Sequence, residues 1–553
     1  MIANTGKDQM KNVLKIWIGF GVLCAFLLGV AQAQDSTKHR AIDITSVFKP
    51  VLREASKINF HATPPIVDTA RPKLKYDIPT QYLSLTYQPG ELTPIALQTD
   101  SVLIWKNANY IKAGAGNVHL PYVQTGFSFG DGKSTFFNIF ADQYNAKGNL
   151  PHQKDATTAV SIAGDVKTAN NLEWNGALGF KSETRYLYGY QPDTLKFPDD
   201  SLQQRFTTYH GRLALRNINP TEFGLVYKPD LDVSVFSDNH SMNARETNSV
   251  LNLPLEKGID KNFQFDLGLT ANLTNYKRAD LTIQNNLFYV SPALFVKASA
   301  FDLHAGITPS WDKGQFNLLP NFIANIYTAD QRLTFQLGWI GYFDKGSYQR
   351  YESINPWLAQ PSTLLNTRVQ EIYAGIKGSL NDHVTYAAKI AFNSYWNMPL
   401  FVNDSIDGKT FLIRYATMMD DLQLHGEIGY THGEDFSASA SLNIHQYTGL
   451  KGQPEPWGLL PLELTTTVKW QVLKDLWIKG DLWAFDGADY LVNNKFTNKG
   501  NPGLDVNAGI EFRITRQVNL WLQMNNIFNS KYQRWNQYQV YGFNILGGII
   551  FSF

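Results

Sequence analysis

The sequence predicts an all-β protein: a large antiparallel transmembrane β-barrel of about 22 strands with a short extended N-terminal leader. Three observations support this fold class. Strict alternation of apolar and polar residues fills the C-terminal end, short polar turns alternate with longer loops, and aromatic residues make up 13% of a chain with only 18% charged residues. Such a composition suits aromatic girdles at two membrane interfaces.

The alternation is clearest between residues 503 and 553. One face of the first segment carries Leu504, Val506, Ala508, Ile510, Phe512 and Ile514, and the residues between them are mainly polar or charged. Successive side chains of a strand point to opposite faces. A barrel that meets lipid outside and water inside needs this pattern, because every backbone group must pair within a closed sheet. The edge of a soluble sandwich also alternates, but an aromatic-rich final strand favours the barrel.

Turn and loop signals follow the rhythm of short periplasmic turns and long extracellular loops. The predicted short turns are 130–133, 168–171, 217–222, 256–260, 299–302, 329–331, 381–383, 433–435, 473–475 and 516–517. The predicted long loops are 145–156, 189–204, 345–363, 396–419, 449–459, 486–502 and 529–538.

The N-terminus has the features of a secretory signal peptide. Lys11 and Lys15 precede an apolar run at 16–30 and the small-residue site Ala31-Gln32-Ala33. We therefore expect a signal peptide at 1–33, a proline-rich leader at 34–106 and the barrel at 107–553. The one cysteine, Cys24, lies in the apolar run, so the mature chain is expected to have no disulfide and no cysteine-based metal site.

The leader allows two interpretations. Its recurrent prolines remove backbone donors and favour an extended segment with little core of its own. Such a segment is either flexible or docked, and its apolar residues Phe48, Val51 and Leu52 favour docking in the lumen or on a periplasmic partner.

The C-terminal end resembles that of TonB-dependent receptors. The stretch Asn526-Ile527-Phe528-Asn529-Ser530-Lys531-Tyr532 is similar to their penultimate-strand signature, and Gly542-Phe543 leading to Phe553 is similar to their final strand. The aromatic-rich style resembles proteins of the Bacteroidetes group. The resemblance implies the large barrel. It also implies a globular plug before the barrel. Residues 34–106 are too short for such a plug, and they lack its glycine-rich pattern.

The sequence predicts no enzyme, cofactor or metal signature. His425 and Glu427 share a strand face, but His432 has the opposite parity. Residues 404–408 carry two aspartates that would suit a loosely held Ca²⁺, although a solvated acidic turn is the favoured interpretation. We therefore expect no catalytic residue, no cofactor and no metal ligand, and no enzyme. The near-zero net charge of +1 gives no indication of a nucleic-acid partner.

The inner face of the barrel carries the candidate binding residues. By alternation, the expected lumen-facing charged residues are Asp266, Glu463, Lys469, Lys479, Asp481, Asp505, Glu511 and Arg513. They form either a solute path or a solvated wall that contacts the leader. Trp357, Trp396 and Trp457 lie in predicted long loops, where they would stack on a sugar or hydrophobic ligand or cover a partner protein.

These features predict an outer-membrane protein of a Gram-negative bacterium that binds or passes a nutrient-class solute without covalent chemistry. The alternative is a non-transporting structural subunit of an outer-membrane protein complex. Expected partners are outer-membrane lipid, a small solute, and a lipoprotein or periplasmic protein.

Overall fold

A computed structural model describes residues 109–492 and 496–553. In this part of the chain, 22 antiparallel strands form one closed barrel. The barrel sheet contains 24 segments, because β7 and β8 are parts of one interrupted strand beside β9, and β11 and β12 are parts of another beside β10. The prediction of an all-β barrel of about 22 strands is confirmed.

The strand bounds follow the chain. The first half comprises β1 (Tyr110–Gly116), β2 (His119–Gly130), β3 (Thr135–Lys147), β4 (Lys154–Lys167), β5 (Leu172–Tyr186), β6 (Gln203–Asn217), β7 (Leu225–Tyr227), β8 (Asp230–Asp238), β9 (Ala244–Gly258), β10 (Phe263–Arg278), β11 (Leu281–Gln284), β12 (Leu287–Lys297), β13 (Phe301–Asp312), β14 (Gln315–Tyr327) and β15 (Leu333–Asp344). The second half comprises β16 (Thr367–Ser379), β17 (Val384–Trp396), β18 (Met398–Asn403), β19 (Phe411–Ala416), β20 (Met418–His432), β21 (Phe436–Lys451), β22 (Leu462–Leu473), β23 (Leu476–Phe485), β24 (Asp489–Val492), β25 (Phe496–Lys499), β26 (Gly503–Arg513), β27 (Val518–Asn525), β28 (Gln533–Trp535), β29 (Tyr538–Gln539) and β30 (Asn544–Ser552).

The barrel closes where the last strand meets the first. Strand β30 pairs with β1 from Tyr110 opposite Ser552 to Gly116 opposite Leu546. Gly548 lies at this seam, where a Cβ atom would stand 1.9 Å from the backbone oxygen of Ala113. Glycine therefore allows the two strands to approach closely enough to complete the sheet.

Side-chain exposure follows the predicted alternation. On β10, Phe263 and Phe265 are exposed, whereas Thr274 and Tyr276 of opposite parity are buried. Exposed aliphatic and aromatic residues recur on this outer face around the barrel, where they form the lipid-facing band. Polar and buried residues occupy the inner face.

The connections agree with the predicted rhythm. All ten predicted short turns fall at connections on one end of the barrel, the end at which β1 begins and β30 finishes. All seven predicted long loops fall at the opposite end. Four short connections at that second end (117–118, 239–243, 279–280 and 313–314) were missed. Three of them span only two residues, and so tight a turn hardly interrupts the alternating pattern.

The long loops contain short hairpins and helices. Hairpins β18–β19, β24–β25 and β28–β29 lie there, together with the short helices α1 (Asp199–Leu202) and α2 (Tyr348–Ile354). No helix within the described ranges is long and apolar enough to cross a membrane. The predicted signal peptide and leader, residues 1–106, lie outside the described residues.

Candidate functional site: a loop cap over the barrel mouth

Four long loops pack together at the loop end of the barrel. We name them the cap: residues 187–202, 345–366, 397–417 and 526–543. Their aromatic and aliphatic side chains bury one another and the neighbouring strand ends. The shared core consists of Phe206, Phe236, Ala244, Tyr276, Tyr348, Tyr351, Leu358, Leu364, Phe401, Phe411, Trp535 and Tyr538. Burying so many rings removes a large apolar area from water and holds the loops in one arrangement.

Helix α2 carries one cap loop across the lumen. Its own loop joins β15 to β16, but its first turn contacts β8 and β9. The backbone N–H groups of Tyr348 and Gln349 donate to the carboxylate of Glu246 (2.6 and 3.1 Å), and the Tyr348 hydroxyl donates to Asp238 (2.7 Å). A carboxylate at a helix N-terminus satisfies free N–H groups and complements the helix dipole. The helix is therefore anchored to the wall.

Aromatic stacking links three of the loops. The ring of Trp357 stacks on Tyr538 with centroids 3.9 Å apart, and Tyr188 meets Tyr538 edge-on at 4.9 Å. The Tyr188 hydroxyl donates to the backbone oxygen of Gln539 (2.9 Å), and the Tyr538 hydroxyl donates to that of Lys409. Tyr538 is the centre of this interlock.

Hydrogen bonds join loops that start on nearly opposite sides of the barrel. Loop 187–202 connects β5 to β6, whereas loop 397–417 connects β17 to β20. The backbone N–H of Gln191 nevertheless donates to the backbone oxygen of Asp407 (2.8 Å). The side-chain amides of Asn403 and Asn536 also bond to each other (3.0 Å). The cap therefore spans the mouth of the barrel.

The receptor-like motif 526–532 closes the base of the last cap loop. It begins just beyond the penultimate strand β27, not within it. Asn526 adopts a positive φ of 47°, accepts from the N–H of Ser530 (2.8 Å), and donates to the backbone oxygens of Ser530 and Tyr541. The Tyr532 hydroxyl donates to Asp505 (2.7 Å). The motif thus ties the loop to the inner wall.

A cavity of about 380 Å³ lies among the cap and the neighbouring loops. Its polar and aromatic lining includes Gln191, Phe401, Asp489, Tyr490, Lys499, Asn501, Lys531, Arg534 and Trp535. Three of these residues are basic and one is acidic, and Lys499 forms an ion pair with Asp486 (2.5 Å). The volume matches that of sites for small ligands.

Arg534 carries the least compensated charge beside this cavity. Its Nη2 donates to the backbone oxygen of Gly458 (3.0 Å), and its guanidinium lies 4.2 Å from the Trp535 ring centroid. Its Nε and Nη1 are buried without a hydrogen-bond partner among the described residues. Burial lowers the pKa of Arg534 to about 10, although the charge of Glu463 opposes this shift. A buried cation with free donors favours an anionic group nearby.

The structure brings seven of the eight candidate lumen residues together on β22, β23 and β26. Lys469 and Lys479 are direct cross-strand partners. Glu463 accepts from the indole N–H of Trp483 (2.7 Å), and Glu511 accepts from Asn519 (2.5 Å). Asp481, Asp505 and Arg513 complete this group, and Arg513 covers the ring of Trp477 at 4.7 Å. Asp266 lies apart on β10, where Gln264 donates to it (2.7 Å).

Other sequence candidates have structural roles. Trp457 is 1% exposed and packs with Leu400 and Met419, so the expectation that it meets a ligand or partner is wrong. Trp396 is the last residue of β17, and the guanidinium of Arg368 lies 3.9 Å from the centroid of its ring. Asp404 accepts N–H bonds from residues 406, 407 and 410, as in an acidic turn. Within the described ranges no three metal-ligating side chains cluster.

The cap itself was not predicted. The one related signal in the sequence is the set of tryptophans in the long loops, Trp357, Trp396 and Trp457, which predicts a surface for ligands or partners. Which rings meet depends on how the barrel arranges the loops. Tyr188 and Gln539, for example, are 351 positions apart.

Comparison with solved structures identifies the fold. The FrpB iron transporter from Neisseria meningitidis (F3-3 variant) is 10% identical, with a TM-score of 0.63 over 82% of each chain. The siderophore receptor PirA from Acinetobacter baumannii is 8% identical, with a TM-score of 0.62 over 81% of this chain and 80% of that one. A mutant of the ferric enterobactin receptor PfeA from Pseudomonas aeruginosa is 10% identical, with a TM-score of 0.60 over 81% and 80%.

No protein-family model and no curated protein matches the sequence. The three solved structures are named as a transporter and two receptors. The described chain has the 22-strand outer-membrane barrel fold of TonB-dependent receptors.

Proposed function

We propose that the chain binds a small polar solute of the nutrient class in the cap cavity and passes it through the barrel when the cap loops separate. The observation that carries this proposal is the cavity of about 380 Å³ with Arg534 at its wall. Its size suits a small molecule, and its basic lining favours one with an acidic group. The names of the similar structures, an iron transporter and siderophore receptors, support a solute-transport role.

The path would continue along the inner wall. Glu463, Lys469, Lys479, Asp481, Asp505, Glu511 and Arg513 form a mixed-charge strip, and Asp505 also holds the cap through Tyr532. A strip with both signs of charge offers weak binding sites for a polar solute and does not hold either anions or cations tightly. The role of these residues and of Asp266 in solute passage is part of the proposal.

A disulfide across the cap tests it. Gln191 and Asp407 are joined by a backbone hydrogen bond, so cysteines at these positions lie near the separation that a disulfide needs. Cys24 is the one natural cysteine and lies in the predicted signal peptide. We expect cells with the oxidised Gln191→Cys/Asp407→Cys protein to take up less of the solute that supports wild-type growth, and reductant to restore uptake.

The control is each single cysteine variant, which cannot form the disulfide and should therefore give the same uptake in oxidising and reducing conditions. If mass spectrometry shows the disulfide formed and uptake is unchanged, passage does not require the cap to open. The cavity proposal has its own test, because Arg534→Gln should weaken solute binding measured by tryptophan fluorescence even where transport is not assayed.

A structural subunit is the second candidate function. It is favoured by the interlock of loops from nearly opposite sides of the mouth, which holds these loops together over the lumen. This function predicts a stable complex with a lipoprotein or periplasmic protein after detergent extraction, together with normal growth of the deletion strain on every single nutrient.

A further inference from the structure

A row of exposed cations follows the outer face of the barrel near its loop end. We name it the basic belt, and it consists of Lys147, Lys154, Arg205, Arg245 and Lys277. Alternation places all five on the outer face, because their neighbours Ala146, Phe206, Glu246 and Tyr276 are buried on the inner face. The belt crosses the contiguous strands from β3 to β10.

Two pairs within the belt set like charges directly opposite each other. Lys147 is the cross-strand partner of Lys154, and Arg245 is the partner of Lys277. Like charges in this position destabilise a sheet. An anion between each pair would remove the repulsion.

The protein supplies little of that negative charge. Asp199 binds Lys154 (2.8 Å) and is shared with His152 (2.5 Å). In the part of the chain that the structure describes, no carboxylate forms an ion pair with Lys147, Arg205, Arg245 or Lys277. Arg205 contacts the hydroxyl of Thr184 (3.4 Å). The belt therefore keeps a net positive charge.

The belt lies directly above the lipid-facing band. On β6, Tyr209 is 57% exposed in that band, and Arg205 is four positions nearer the loop end on the same face. Four residues of a tilted strand rise about 10 Å. This height corresponds to the headgroups of the outer leaflet, not to the acyl chains.

A groove at one end of the belt combines both kinds of surface. It measures about 700 Å³, and its lining includes Lys147, Lys154 and Arg205 together with the apolar Leu120, which is 61% exposed. Its one carboxylate, Asp155, accepts from the hydroxyl of Tyr541. Cations beside an exposed apolar side chain suit an amphiphile, whose phosphate meets the basic groups while a chain covers the leucine.

We propose that the basic belt binds the phosphate groups of a glycolipid in the outer leaflet, with the groove as its principal site. Lipid is the favoured source of phosphate, because the belt residues lie on the outer face next to the lipid-facing band. The site is distinct from the cap cavity, and its test measures lipid binding without any assay of transport.

The test measures lipid binding by the purified full chain in detergent. The probes are a diphosphorylated glucosamine lipid, the same lipid without phosphates, and inorganic phosphate. We expect Lys147→Gln/Lys154→Gln/Arg205→Gln to weaken binding of the diphosphorylated lipid about 100-fold, since each basic residue near an anionic membrane surface contributes about tenfold or less. Removing the phosphates should weaken wild-type binding similarly.

The matched control neutralises three exposed lysines at the other end of the barrel, in Lys133→Gln/Lys228→Gln/Lys474→Gln. It loses the same net charge and should bind the lipid within about twofold of wild type. Equal weakening by both triple variants, or none by either, would overturn the proposal. Inorganic phosphate binding as tightly as the lipid would show a free-anion site instead.

A second variant guards against misfolding. Arg245→Gln/Lys277→Gln removes the other like-charged pair and should weaken lipid binding less than the groove variant. The gel mobility of unheated samples reports whether each barrel is folded, and a folded groove variant with wild-type lipid affinity would refute the assignment.

Discussion

Replacement of Tyr538 by alanine should release the cap. The ring of Tyr538 is 1% exposed and contacts the rings of Trp357 and Tyr188, while its hydroxyl donates to the backbone of Lys409. Tyr538→Ala removes all of these contacts and leaves a cavity between three loops. None of them is part of the barrel sheet, so the strands should stay intact.

The magnitude follows from the buried ring. Truncating a buried aromatic side chain to alanine costs about 3–5 kcal/mol. If opening the cap exposes Tyr538, this loss acts on the closed state, and the open fraction rises about 140-fold to 4,000-fold. Tyr538→Phe keeps the ring contacts and loses the hydrogen bond, worth about 1 kcal/mol, so it should raise the open fraction about fivefold.

Conductance in planar bilayers measures the open fraction. The variants are placed both in the signal-cleaved chain and in a chain lacking residues 34–106, so that a leader docked in the lumen cannot mask opening of the cap. Tyr209→Ala, which truncates an exposed tyrosine on the outer face, is the control. A folded Tyr538→Ala protein that stays silent in both backgrounds would refute the idea that this interlock closes the mouth. Equal opening by Tyr209→Ala would point to general loosening of the barrel.

Three further predictions test the same architecture. Burial lowers the pKa of Lys345, at the base of the cap, from 10.5 to about 8. Between these two pH values the open, hydrated state binds more protons than the closed state, so the closed state becomes more stable as the pH rises. Lys345→Met should therefore make the opening frequency independent of pH from 7 to 10. Glu246→Ala should leave the two N–H groups of helix α2 that donate to Glu246 without their acceptor, and this loss should destabilise the helix by about 1.5–3 kcal/mol. Hydrogen exchange should then rise at 348–354 but not at the distant hairpin β24–β25. Gly548→Ala should lower the unfolding temperature of the barrel because its Cβ meets the β1 backbone, whereas Gly426→Ala, where the added Cβ meets nothing within 4 Å, should leave that temperature unchanged.

The barrel was predictable because lipid and water impose a period of two on every strand. Segments such as 263–274 and 504–513 carry that period residue by residue, and the polar turns between them mark the strand ends. The strand count then follows from the turns. The final strand begins at Asn544, just after the Gly542-Phe543 pair that resembles the start of the receptors' last strand. The preceding Tyr541 bonds through its side chain to Asp155.

The cap and the belt depend on information that no local pattern contains. Tyr538 meets Trp357 only because the closed barrel brings their loops over one mouth. Lys147 meets Lys154 only in one register, and a slip of one residue would send one lysine inward. Asp266 was grouped with Glu463 by parity alone, and parity says which face a residue occupies but not on which side of the barrel it lies.

Alternation also connects the belt to the cap. Three cations of the belt are next in sequence to inner-face residues that hold the cap. Lys154 precedes Asp155, which accepts a hydrogen bond from Tyr541. Arg205 precedes Phe206, which packs on Tyr348. Arg245 precedes Glu246, the anchor of helix α2. Repulsion between cations on the outer face would push these strand ends apart and loosen the inner contacts, and a bound anion would relieve it. A glycolipid on the belt would therefore favour the closed cap, so the surroundings of the barrel would set how readily its mouth opens.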